Sequence, residues 1–210
     1  MQWLEYFETL NWYLKDVPET GNFGNPHSRL NETMAVRLTN QIRDELCLKN
    51  PERFRTEYAL TISSPILSEN NKVLTIPSTI AIVYGIKTNV ADDYKSISAT
   101  VTLDTIRKRN DVSLYNEDGW TVGNILYIDC ALFPVPVAAD PSPTVEIDFP
   151  RGWELLLQLC VVQEVKNQSG EEMQATLVRR LDQYMMQWLI DAGRMREVIT
   201  LKNRRAGIGS

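Results

Sequence analysis

The residues in this sequence that could do chemistry are few and scattered. The single histidine, His27, sits in "GNPHS" beside Ser28. A Ser–His–Asp relay needs three groups brought together, and one loop histidine reads as a surface residue instead. Carboxylates pair at Asp92–Asp93, Glu117–Asp118 and Glu171–Glu172. Glycoside hydrolysis needs two carboxyls facing each other across a sugar, one of them in an apolar pocket. These pairs are sequence neighbours in polar turns, so solvated turn charges are the better reading. Cys47, Cys130 and Cys160 are far apart and lie among apolar neighbours. That spacing implies neither a disulfide framework nor a zinc site, and it fits a reducing compartment. Nucleophile-elbow, P-loop, zincin and dinucleotide-binding patterns do not occur. The expectation is a chain without catalytic residues, metal or cofactor.

Charge is more informative. Between Arg194 and Ser210 five basic residues face one acid, Glu197, for a net +4; the other residues then carry −9 of the total −5. An acidic body with a basic end suits an end that docks on an acidic surface, although a solvated tail has the same composition. The run Arg107-Lys108-Arg109 could meet phosphates. On an acidic chain it is a small electrostatic footprint, and a solvated helix face explains it as well. The opening "MQWLEYFETLNWYLKD" lacks a basic n-region, so it does not read as a signal peptide. Nor is any apolar run long enough to span a bilayer.

The elements that would position these residues follow from periodicity. Trp3, Leu4, Phe7, Leu10 and Leu14 recur at helical spacing and predict a helix over about 2–15. A second helix over 31–49 starts on Asn31 as N-cap, with Met34, Leu38, Ile42 and Leu46 as its stripe. Between 56 and 149 the pattern alternates. Tyr58, Leu60 and Ile62 share one face, as do Ile80, Ile82, Tyr84 and Ile86, and "NILYIDCALF" and "TVEIDF" follow suit. "TLDTIRKRND" breaks that run as a short helix or turn. Helices return over 150–166 and 171–192, with Gly193 as the expected C-cap. The expected fold is α+β: a four-helix bundle from 1–55 and 150–193, an inserted β domain over 56–149, and an extended partner-binding tail over 194–210. Trp3, Tyr6, Phe7, Trp12 and Tyr13 exceed what one face of a short helix can bury. This predicts that some of them, with Trp3, Trp12 and Tyr13 as candidates, meet another chain. Arg107, Lys108 and Arg109 join them as candidate contacts.

Order and spacing then carry a family resemblance. "VLTIPSTIAIVYGI" (73–86) contains an Ile-Pro followed by a small residue. "TLDTIRKRND" (102–111) is placed as a short charged helix. "WTVGNILYIDCALFPVP" (120–136) is a strand ending in a proline pair, and a helix hairpin follows. Over roughly 70–205 the chain resembles the head-to-tail adaptor (connector, or neck) proteins of tailed bacteriophages, including the tail tubular proteins of short-tailed phages. The Trp-rich opening and "TGNFGNPHS" have no counterpart in that pattern. The resemblance implies a structural protein of the virion neck, assembled in the host cytoplasm. It implies a homo-oligomeric ring of about twelve copies joining the portal protein to a tail component such as a nozzle, with tail fibres as a further partner. Double-stranded DNA would pass through its lumen without sequence-specific binding, which an acidic wall suits. Portal contacts would fall on Ile199, Leu201, Lys202, Arg204, Arg205 and Ile208. Another tail or neck component, or a virion-associated cell-wall hydrolase using Glu117, Glu171 and Glu172, are the alternatives.

Overall fold

In the computed structural model, residues 1–14, 30–91, 93–96, 101–103, 112–116 and 118–206 are described. The chain divides into two units, Met1–Asn50 with Pro134–Ser210, and Pro51–Phe133.

In the first unit, α1 spans Trp3–Leu14 and α2 spans Glu32–Lys49. The spacing of Trp3, Tyr6, Phe7, Leu10 and Leu14 puts all five on one buried face. Asn31 caps α2 as its sequence predicts, its Oδ1 accepting from the Met34 N–H at 2.8 Å. Two side-chain bonds tie the helices together. Trp3 Nε1 donates to Glu32 Oε1 at 2.8 Å, and the Tyr6 and Thr39 hydroxyls meet at 3.1 Å in the core. Burial pushes the Tyr6 phenol well above its usual range, so it stays a neutral hydroxyl.

The β unit occupies 51–133. After a 3-10 turn at Pro51–Phe54 come β1 (Arg55–Thr61), β2 (Leu67–Ser68), β3 (Val73–Thr75) and β4 (Ile80–Lys87). Then follow β5 (Lys95–Ser96), β6 (Val101–Leu103), β7 (Val112–Tyr115) and β8 (Ile125–Leu132). They form two antiparallel four-stranded sheets, ordered β1-β8-β4-β5 and β2-β3-β7-β6. Leu60, Ile62, Leu74, Ile80, Leu126 and Ile128 are central to the shared core. The β2–β3 turn uses Glu69, Asn70 and Asn71 at φ of 51°, 58° and 65°. Asparagine tolerates that left-handed region better than most residues. Trp120 closes over the turn, its N–H donating to the Asn71 carbonyl at 2.7 Å. Strict alternation in β4 fails because its register slips between Ile80 and Ile82 and again between Val83 and Gly85. Ile80 remains in the core, whereas Tyr84 is only half-buried.

The chain then returns to the helical unit through an irregular strap, 134–153, before α3 (Glu154–Gln168) and α4 (Ala175–Ala206). The strap is anchored by α2. Arg43 Nη2 donates to the carbonyls of Val135 and Asp148 at 2.7 and 2.6 Å, and Nη1 to Asn40 Oδ1 at 3.3 Å. Asn40 bonds both ways to Val137, accepting its N–H at 2.8 Å and donating to its carbonyl at 2.9 Å. The strap in turn caps α1. Trp3 N–H donates to the Val145 carbonyl at 2.8 Å and Leu4 N–H to the Pro143 carbonyl at 3.1 Å. These satisfy donors that a helix start otherwise leaves open.

The α+β class holds, but the expected bundle does not. Helix α3 is apolar around most of its girth, with Leu156, Leu157, Leu159, Val161, Val162 and Val165 all buried. Such a helix acts as a hub rather than as one wall of a bundle. It packs against α1, α2 and α4. The expected extended tail is also overturned, since α4 runs 32 residues, through Gly193 to Ala206. One glycine costs a helix only about 1 kcal/mol relative to alanine, too little to end it among the good helix formers that follow. "TVEIDF" forms no strand beyond one bridge, Gln2 with Glu146. Its polar groups are claimed by α1 and Arg43.

Candidate interaction surfaces

Two surfaces stand out, one in each unit. The first begins with how α4 is held. Trp188 is fully buried, its Nε1 donating to the Leu46 carbonyl at 3.2 Å, while Asn50 Nδ2 donates to the Trp188 carbonyl at 2.9 Å. Phe149 stacks on the indole at 5.7 Å and Trp153 meets it edge-on at 4.9 Å. Leu181, two turns earlier, is the other buried large side chain of α4 among the described residues. The opposite side is open: Met186 is 61% exposed, and Leu189 and Ile190 are 45% each. At 1.5 Å per residue α4 is about 48 Å long against about 22 Å for the 15-residue α3, so it far exceeds the helix that supports it.

On α1 the candidate aromatics separate. Trp3 is in the core and hydrogen-bonded to Glu32, so it is not available to another chain. Trp12 is 73% exposed, with half-buried Tyr13 edge-on to it at 5.0 Å. Glu5 and Glu8 are also exposed, and α1 has no basic residue. Ile199, Leu201, Lys202, Arg204 and Arg205 lie on the last turns of α4, while Ile208 lies outside the described residues. Arg107, Lys108, Arg109, His27, Asp92 and Glu117 also lie outside them. Asp93, Asp118 and Glu172 are exposed, and Glu171 pairs with Lys166 at 2.5 Å.

The second surface is the outer face of the sheet β1-β8-β4-β5. Arg55 grips Asp129 with two bonds, Nε to Oδ1 at 2.8 Å and Nη2 to Oδ2 at 2.5 Å, and reaches Glu52 at 3.2 Å. Its guanidinium lies 4.5 Å from the centre of the Tyr84 ring. The bond to Asp129 chiefly holds Arg55 above its ordinary pKa, and burial raises that of Tyr84. Further along the face, Lys87 Nζ pairs with Glu57 at 3.0 Å and sits 4.4 Å from the Tyr94 ring centre. The Tyr94 hydroxyl donates to Glu57 and, with Lys87, lowers that carboxyl's pKa. Sequence reasoning passed over this face. Its signal was the alternation of β1 and β8, which puts Arg55 and Glu57 on one face with Asp129; Glu57 stands opposite Asp129 in register, and Arg55, opposite Ala131, reaches Asp129 on the diagonal. Both cations are matched by acids, so this face suits positioning more than capture of a phosphate backbone.

Among the described residues no group of histidine, cysteine and carboxylate side chains could hold a metal ion. Burial raises all three thiols, Cys47 to about 12, Cys130 to about 11 and Cys160 to about 12, so they are poor nucleophiles. Among the described residues no helix is long and apolar enough to cross a membrane. No protein-family model and no curated protein sequence matches the chain.

Proposed function

We propose that this chain is a ring-forming adaptor of the tailed-phage virion neck, joining the portal to the tail and continuing the channel for DNA. The observation that carries the reading is α4, a helix about twice as long as its support, open along Met186, Leu189 and Ile190 and basic toward its end. A monomer gains nothing from exposing such an element, whereas an assembly subunit uses it to reach a neighbour. The order of helix pair, β unit and helix pair agrees with the resemblance drawn from sequence. In this reading Ile199, Leu201, Lys202, Arg204 and Arg205 engage the portal from the helical end of α4, with Ile208 beyond them. The protein works in the virion as a structural part, without catalysis or cofactor.

Deleting 199–210 tests the portal contact. Purified portal should capture the full chain and fail to capture the deletion, while both give the same circular-dichroism melt. Equal capture of the two would overturn the reading.

A further inference from the structure

The open faces of α1 and α4 are chemically matched to each other. On α1, Glu5, Glu8 and Trp12 are spaced by three and four residues, which puts two acids and an exposed indole on one side of the helix. On α4, Met186, Leu189 and Ile190 follow the same spacing rule. Arg194 and Arg196 follow directly on the same helix, ahead of the residues given to the portal. An indole fits against Met, Leu and Ile side chains, and paired acids fit paired arginines. Both faces are open in one molecule, so they do not cover each other within the chain. Both helices pack on α3, so each molecule offers one face of each kind.

We propose that α4 of one copy docks on the Glu5–Glu8–Trp12 face of α1 in the next copy. The contact joins two different patches, so it is head-to-tail, and repetition closes into a ring or continues as a filament. The inference rests on the ring reading and supplies the contact by which copies would join. The docked interface is apolar at its centre, around Trp12, and charged at one end, so its assembly weakens as salt rises.

The test uses the full chain without portal, its mass followed by light scattering over a concentration series. Wild type should form assemblies larger than a dimer. Trp12→Glu should be monomeric, and so should the double variant Leu189→Glu with Ile190→Glu. Each variant keeps one intact face, so mixing the two should give a one-to-one dimer and nothing larger. Matching melts show that the variants fold, and Glu5→Lys with Glu8→Lys probes the same α1 face without touching an apolar residue. A wild type that stays monomeric throughout, a variant that keeps the wild-type mass, or a mixture that stays monomeric would each overturn the inference. Portal capture is scored separately. A chain that assembles this way but ignores portal would sink the adaptor reading and leave the head-to-tail contact standing.

Discussion

Two arginines, one in each unit, show how differently the same side chain can be used. Arg43 is 1% exposed and spends its donors on neutral acceptors, the carbonyls of Val135 and Asp148 and the amide oxygen of Asn40. Burial lowers its pKa, and nearby Asp148 opposes that shift. Arg55 lies on an exposed sheet face and is gripped by two carboxylates. The first holds backbone in a place where water cannot replace it. The second is itself a third open to water, and it pairs with two carboxylates whose side chains are 7% and 15% exposed. What matters for stability is therefore what is left behind when the guanidinium goes. At Arg43 that is a set of buried backbone and amide acceptors; at Arg55 it is two half-buried acids at the edge of an opening that admits water.

The largest effect should follow from Arg43→Met, which strands those acceptors and frees the strap. We expect a loss of about 3 kcal/mol or more in urea unfolding. Arg43→Lys should recover little, because an ammonium lacks the fork that reaches three acceptors at once. A loss below about 1 kcal/mol for Arg43→Met would break the contrast with Arg55. Next is Asn40→Ala, expected to cost about 2 kcal/mol because both polar groups of Val137 lose their partner. Arg55→Ala should cost about 1 kcal/mol, because its acids are half-buried but the guanidinium is a third open to water, and added salt should shrink the effect. The smallest effect concerns Glu57, whose pKa is lowered in the folded state. Its pairing stabilises the fold above the ordinary carboxylate range and is lost as pH falls through the lowered value. Glu57→Gln should therefore lower stability slightly at neutral pH and leave it unchanged in acid below the lowered value, which flattens the acid side of the profile.

Much of this was legible in the sequence. The Asn31 cap and the i+4 stripe of α2 are local signals, and so is the alternation of β1 and β8. One failure was a local competition, and the others were decided by distant partners. Gly193 has the composition of a cap, but the residues after it favour helix. "TVEIDF" has a strand's alternation, yet its polar groups go to the start of α1 and to Arg43, about a hundred residues earlier in the chain. Trp3 looked like surplus apolar surface because its partner, Glu32, lies 29 positions away. The interaction surfaces were half legible. Trp12 could be named from its aromatic neighbours, whereas the exposed side of α4 emerged only once Trp188 fixed which side is buried. The alternation of β1 and β8 placed Arg55 and Asp129 on one face, but it did not mark the diagonal across their register that joins them.

The capping of α1 by the strap bears on synthesis. Residues 51–133 are contiguous and can complete their two sheets as soon as they emerge from the ribosome. The first helix cannot finish in that order, because its own N–H groups wait for carbonyls made some 140 residues later. A nascent chain halted after 133 should therefore protect the β unit from protease while its opening helix stays cleavable. Helix α1 is made before the β unit and locked after it.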